Sequence, residues 1–233
     1  MPVLFVTGTG TGVGKTVVTA ALAVLGTVRG SVAVVKPGQT GVPGDEPGDL
    51  AEVTRLCGPV TTRELVRYPD PLSPAAAARV SGRPPLDPAV FYDCVLGLSE
   101  DLVLVEGAGG LLVRYDEDGL TLADLARGLQ APVLVVVDPA LGTLNHTALT
   151  LEALAHRGVA LEGLVVGSWP ADPGVAERSN LRDLEMLAAR PLLGALPAGA
   201  PAAPDFRALA HDSLAPQLGG GWDARAFRRR WDP

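Results

Sequence analysis

Val3-Leu4-Phe5-Val6 runs into Gly8-Thr9-Gly10-Thr11-Gly12-Val13-Gly14-Lys15-Thr16, and this stretch decides how the rest of the chain must fold. An apolar strand, a glycine-rich loop ending in Gly-Lys-Thr and then an apolar helix are, in that order, the parts of a phosphate-binding loop. The chemistry requires these residue types. Glycines let successive backbone N–H groups converge on a polyphosphate with no Cβ in the way. Lys15 brings a movable point charge toward the β- and γ-phosphates, and Thr16 offers a hydroxyl to Mg²⁺. The helix opening near Thr16 adds the positive end of its dipole. The common spacing puts a glycine five residues before Gly14. Here Thr9 holds that place and Gly8 lies one step earlier, so the loop is one residue longer.

On either side the chain alternates apolar runs with helical ones. Val17 to Val28 reads as a buried helix. Ser31 to Lys36 reads as a buried strand with a lysine at its carboxyl end, followed by Pro37-Gly38-Gln39-Thr40-Gly41. A polar loop leads into a short helix over Asp49 to Leu56. Tyr68 to Glu100 is broken by prolines and carries helical pieces at Ser73 to Val80 and Pro88 to Leu98, so it reads as a crossover outside the sheet. Buried strands are predicted at Leu102 to Val105, Val133 to Val137 and Leu161 to Val166, and a further apolar stretch, Leu192 to Leu196, leads into the loop from Pro197 to Pro201. Helices are predicted from Gly142 to about His156, Glu177 to Ala189 and Phe206 to His211, with a last piece around Trp222 to Trp231. Such alternation implies parallel βαβ units with right-handed crossovers. The expected fold is α/β: one P-loop NTPase domain over residues 1–233, with a mostly parallel central sheet and helices on both faces.

The chain has 233 residues, 47% of them hydrophobic, enough for one sizeable core. A net charge of -7 argues against a nucleic-acid partner, and Arg228-Arg229-Arg230 reads as a solvated or salt-bridged face of the last helix. No apolar stretch is long enough for a membrane span, and the first residues lack a signal-peptide pattern, so a cytoplasmic protein is expected. Cys57 and Cys94 lack metal or redox spacing and read as buried thiols.

Of 19 basic residues only Lys15 and Lys36 are lysines; the other 17 are arginine. A chain that uses arginine for generic cations and keeps lysine twice points to sites needing a compact ammonium rather than a planar fork. Strand carboxyl ends face the ligand crevice in an open parallel sheet, which puts Lys36 on the same edge as the phosphate loop. Asp49 reads in two ways, as the cap of its helix or as a carboxylate for Mg²⁺. Two strands end in an acid. Glu106 is followed by Gly107-Ala108-Gly109-Gly110, which allows close backbone approach to a ligand, whereas Asp138 precedes Pro139 and reads as helix-entry capping. Glu106 is the preferred second Mg²⁺ contact.

Taken together, Gly8 to Thr16, Lys36-Pro37 with Thr40-Gly41, Val105 to Gly110 and Leu141-Gly142-Thr143-Leu144-Asn145-His146-Thr147 resemble the dethiobiotin synthetase family along nearly the whole chain. The resemblance implies a homodimeric, Mg²⁺- and ATP-dependent cyclo-ligase acting on 7,8-diaminopelargonic acid and CO₂ or bicarbonate. It implies that Lys15 holds phosphates and carbamate and that Lys36 stabilises charge in the transfer step. It makes Thr16, Asp49 and Glu106 the Mg²⁺ set, and Thr11 and Thr40 contacts of the diamine. Gly142, Thr143, Leu144 and Asn145 would reach the substrate tail across the dimer interface. ATP would be held by Gly12, Val13, Gly14, Lys15, Thr16 and Val17, by Asp49, and by Glu106, Gly107, Ala108 and Gly109. Its base would lie at Gly167, Ser168, Pro197, Ala198 and Gly199. The family's usual asparagine and acid at the base are replaced here by Gly167-Ser168-Trp169-Pro170 and Pro197-Ala198-Gly199. Base contacts through backbone groups, with weak preference among triphosphates, are therefore expected. The rival is a partition or cell-division ATPase switch, which typically carries a further lysine early in the loop; this chain has none there.

Overall fold

The computed structural model describes residues 2–231. β1 (Val3–Gly8) delivers the chain to the loop, and α1 (Lys15–Gly26) leaves it. The helix starts two residues ahead of the expected Val17, because Gly14 takes up the left-handed turn at φ 96 and helical geometry can begin on Lys15 itself. β2 (Val32–Gln39) runs on past Lys36. Its pairing with β4 stops at Val35, while its pairing with β3 continues to Gly38 and Gln39, so Pro37 sits where only one neighbour remains. α2 (Asp49–Cys57) follows, then β3 (Thr61–Arg67), a strand the sequence pattern did not mark. None of its residues is buried, which is why Thr-Thr-Arg-Glu-Leu-Val-Arg shows no apolar run.

The proline-rich crossover contains α3 (Pro74–Ser81) and α4 (Pro88–Leu96), as expected. β4 (Leu102–Gly110) carries Glu106, and α5 (Leu122–Gly128), another element not anticipated, is opened by a Thr121–Asp124 capping box. The second half continues through β5 (Val133–Val137), α6 (Thr143–His156), β6 (Leu161–Trp169), α7 (Val175–Ala188) and β7 (Gly194–Pro197). It ends with α8 (Phe206–Ser213) and α9 (Ala224–Trp231).

Among the described residues seven strands form one sheet in the order β3-β2-β4-β1-β5-β6-β7, with every strand pair parallel. Val34, Val35, Leu104, Val105, Val135 and Val136 have no exposed surface, as expected of a parallel sheet covered on both faces. β1 is central: β4 lies on one side and β5 on the other, so the chain reverses direction across the sheet beside the phosphate loop. Crevices form at such switch points outside the strands' carboxyl ends.

Two smaller expectations need adjustment and a third is met. Cys57 is buried but Cys94 is only half-buried, because α4 presents it toward the rim of the core. Asp138 does not cap a helix: it is exposed and accepts the Ala140 N–H at 2.8 Å, while the residue preceding α6 is Gly142. Arg228 pairs with Glu185, and the Arg230 guanidinium lies 5.0 Å from the centre of the Trp231 ring, consistent with a paired face on the last helix. Here α9 brings Phe227 and Trp231 onto Trp169 at the end of β6, with ring centres 5.2 and 5.9 Å away. Among the described residues no helix is long and apolar enough to cross a membrane.

Candidate active site

Sheet register builds the centre of the site. Val35 pairs with Val105 and Val6 with Glu106, so Lys36 and Glu106 stand at one level on adjacent strands, just past the last β2–β4 pair, and their side chains meet. Glu106, with no exposed surface, accepts hydrogen bonds on Oε1 from the Lys36 ammonium at 2.8 Å and from the Thr16 hydroxyl at 2.9 Å. Its Oε2 has no hydrogen-bond partner. Lys36 also lies 2.5 Å from Asp49 Oδ2 and donates to the Gly107 carbonyl at 3.2 Å. Of the two readings of Asp49, its carboxylate makes no cap hydrogen bond to α2 and instead faces the Lys36 ammonium.

Lys15 and Lys36, the chain's two lysines, are both buried and line one cleft of about 660 Å³. The Lys15 ammonium donates to the Gly10 carbonyl at 2.8 Å, folded back over its own loop. Burial, and then the Lys36 charge, lower its pKa to about 8 against the opposing pull of Glu106 and Asp49. Burial alone would push Lys36 the same way, but the carboxylates of Glu106 and Asp49 outweigh it and hold its pKa above the ordinary lysine value. One lysine is thus a fixed cation and the other sits near its own titration point. Because phosphate favours the charged ammonium, a polyphosphate at the loop should bind more weakly as pH rises through about 8, with a proton taken up on binding. Calorimetric titration with a non-hydrolysable triphosphate at pH about 8, in two buffers of unlike protonation heat, checks the sign. Equal heats in the two buffers would count against it.

The cleft gathers Thr11, Gly12, Gly14, Lys15, Thr16, Val17, Lys36, Thr40, Asp49, Ala108 and Gly109. Glu106 lies beneath them, and Val13 turns into the core. Thr16, Asp49 and Glu106 make a hard-oxygen donor set with one carboxylate oxygen unpartnered, a set that suits Mg²⁺.

The expected base residues stand apart. Gly167 is wedged against the phosphate loop, so a Cβ there would lie 1.9 Å from the Val13 carbonyl oxygen. Pro197 and Ala198 instead line a second cleft of about 700 Å³ with Trp169, Trp222, Phe227 and Trp231. Ser168 and Gly199 are exposed beside them. One backbone donor expected to be available to the base is already engaged, since the Ala198 N–H donates to the Trp169 carbonyl at 2.7 Å.

Gly142, Thr143, Leu144 and Asn145 open α6 outside the first cleft. The Thr143 hydroxyl is buried 3.5 Å from that of Thr147, so this side chain faces its own core. Two groups at the site escaped the sequence reading. Gln39 sits inside the quoted Lys36 to Gly41 run but carries no charge to draw notice. The wholly buried Tyr115 accepts the Ala108 N–H on its hydroxyl at 3.0 Å, and burial pushes its pKa up. No local pattern announces it.

The family model described as "AAA domain" matches residues 3–204. A protein of Parafrankia sp. (strain EAN1pec) named ATP-dependent dethiobiotin synthetase BioD is 60% identical, covering 99% of this chain and 99% of its own length. The protein of the same name from Frankia casuarinae is 61% identical over 100% of both. Among solved structures, the cell division ATPase MinD of Pyrococcus furiosus is similar at TM-score 0.52 and 21% identity, covering 90% of this chain and 96% of that one. A ParA family ATPase from Chlorobium tepidum TLS is similar at TM-score 0.53 and 14% identity, covering 84% of this chain and 83% of that one. At such identities the structural likeness shows the P-loop NTPase fold alone.

Proposed function

Since the chain belongs to the ATP-dependent dethiobiotin synthetase family, and so is an ATP-dependent ligase of biotin biosynthesis, we propose that it closes the ureido ring of dethiobiotin from 7,8-diaminopelargonic acid and CO₂. The observation that carries this reading is the convergence of Lys15 and Lys36 on one cleft, from the phosphate loop and from β2. A carbamate attacking a γ-phosphate brings two anions together, and a site for that step needs cations on both sides of the forming bond.

In the proposed sequence one amine of the substrate adds to CO₂ and loses a proton, giving a carbamate. A carbamate oxygen then attacks the γ-phosphorus, the bond to the β-bridging oxygen breaks and ADP leaves. The second amine attacks the carbamoyl carbon, the C–O bond breaks, phosphate leaves, the amine gives up a proton to phosphate or solvent and the ring is closed. Lys15, now held on the Gly10 carbonyl, would exchange that partner for phosphate oxygens. Lys36 would steady the charge that builds between carbamate and phosphate. Thr11 and Thr40, which both line the cleft, would orient the diamine. Mg²⁺ would be held by Thr16, Asp49 and Glu106, where it neutralises charge on the triphosphate.

The proposed assembly is a cytoplasmic homodimer in which Gly142 to Asn145 reach the partner's substrate. Leu141, 90% exposed immediately before them, supports a covered face there. The direct test is phosphate release with MgATP, bicarbonate and the diamine, with product identified and a control lacking the diamine. Release that needs the diamine and yields dethiobiotin is expected; release without it and without product would favour an ATPase switch instead.

Base recognition gives a second prediction. If the base enters the second cleft, Trp169, Pro170, Pro197 and Ala198 would meet it with rings and backbone, and none of them carries a side-chain amide. CTP and GTP are therefore expected to support turnover within about tenfold of ATP, the scale on which apolar pockets discriminate. Initial rates with the three triphosphates check it, and strong exclusion of CTP and GTP would sink it.

A further inference from the structure

Gln39 ends β2 with 4% of its surface exposed, yet both ends of its amide are engaged at the site. Its Oε1 accepts the backbone N–H of Asp49 at 2.9 Å, and its Nε2 donates to the Thr40 carbonyl at 3.2 Å. The first contact answers a need created by the sequence of α2. The first N–H groups of a helix have no partner within it, and the capping residue here is Gly48, which has no side chain to supply one. The Asp49 carboxylate is turned to Lys36 instead. Gly48 in turn leaves space for the amide: a Cβ there would lie 2.7 Å from Gln39 Oε1 and 3.2 Å from the Arg67 guanidinium. At φ -98 its backbone is open to any residue, so room rather than conformation calls for glycine. Arg67 fixes the preceding loop by donating to the Gly44 and Glu46 carbonyls at 3.3 and 2.7 Å.

We infer that Gln39 is a positioning residue that caps α2 from the neighbouring strand. By doing so it sets where the Asp49 carboxylate stands, and through its other end it sets the Thr40 carbonyl. The inference rests on the proposed role of Asp49 in holding Mg²⁺ and of Thr40 in meeting the diamine. The two ends of the amide can be separated. Gln39→Glu keeps an oxygen for the Asp49 N–H and loses the donor to Thr40, whereas Gln39→Met loses both.

The test measures Mn²⁺ binding by electron paramagnetic resonance with a non-hydrolysable ATP analogue bound, the KM for the diamine, and thermal unfolding. It compares wild type, Gln39→Glu, Gln39→Met and Asp49→Asn. In Gln39→Met the Mn²⁺ affinity should fall about tenfold, the scale of one buried hydrogen bond lost. In Gln39→Glu it should not fall, because the capping oxygen is kept and the added carboxylate attracts the cation, while the KM for the diamine rises. Gln39→Asn, one methylene short of the Asp49 N–H, should repeat the Mn²⁺ loss and stands in for Gln39→Met if that variant does not fold. Mn²⁺ affinity unchanged in Gln39→Met and Gln39→Asn, beside a clear loss in Asp49→Asn, overturns the positioning role alone. A wild type that does not bind Mn²⁺, or an Asp49→Asn variant that binds it fully, overturns the metal reading and this inference with it.

Discussion

Lys36→Arg is expected to lower kcat by about 10²–10³-fold, the range seen when one charged or hydrogen-bonding stabiliser of a transition state is removed. The reason is geometric, since the positive charge is kept. The Lys36 side chain is 3% exposed, and its ammonium is set between Asp49 at 2.5 Å, Glu106 at 2.8 Å and the Gly107 carbonyl at 3.2 Å. A guanidinium presents a wide planar fork and does not act as a compact point charge. It must either displace α2, and Asp49 with it, or withdraw from Glu106. Arginine is also a better probe than methionine. Removing the charge would leave the wholly buried Glu106 facing no counter-ion, a situation that costs about 3–5 kcal/mol and would confound loss of activity with loss of fold. Initial rates beside melting curves check the expectation. Turnover within a few-fold of wild type, from a variant that melts normally, would remove Lys36 from the transfer step.

Gly167→Ala is expected to weaken triphosphate binding about a hundredfold, and to destabilise the protein by about 1–3 kcal/mol through overpacking. The added Cβ would lie 1.9 Å from the Val13 carbonyl oxygen and 2.7 Å from Val136 Cγ1, the first a backbone atom with no rotamer to escape into. The contact is reciprocal, because a Cβ on Gly14 would meet the Gly167 carbonyl at 2.7 Å and Gly14 also holds φ 96. The end of β6 therefore serves as the floor on which the phosphate loop rests. Equilibrium binding of a fluorescent triphosphate, with a melting curve as control, decides the matter. Wild-type affinity would mean the loop yields without losing its shape.

The phosphate loop, the alternation of elements and the placing of Lys36 on the edge of the sheet that carries the phosphate loop were legible because each depends on local spelling plus one topological rule; that Lys36 would pair with Glu106 was not. Glu106 could be preferred to Asp138 from the glycines that follow it, and it accepts the Thr16 hydroxyl. Other features depend on distant partners. β3 is a half-exposed edge strand, so its residues carry no apolar signature. Asp49 was ambiguous because helix capping and cation binding call for the same residue type, and only the approach of β2 to α2 separates them. Gln39 and Tyr115 act through backbone groups of Asp49 and Ala108, contacts that a pattern of side chains does not encode. Gly167 was placed at the base from resemblance, whereas the constraint on it comes from Val13, far away in sequence.

All three tryptophans of the chain, Trp169, Trp222 and Trp231, gather with Phe227 where α9 covers the end of β6. Indole emission from this protein is therefore a local signal. It reports the packing of the last helix and events at the neighbouring second cleft, and carries almost nothing from Lys15, Lys36 or the diamine side. A nucleotide whose base enters that cleft will change the fluorescence, while inorganic triphosphate, filling the same loop, will leave it nearly unchanged. In unfolding experiments the same corner sets the optical midpoint. That midpoint speaks for the whole sheet only where it coincides with the loss of far-ultraviolet circular dichroism.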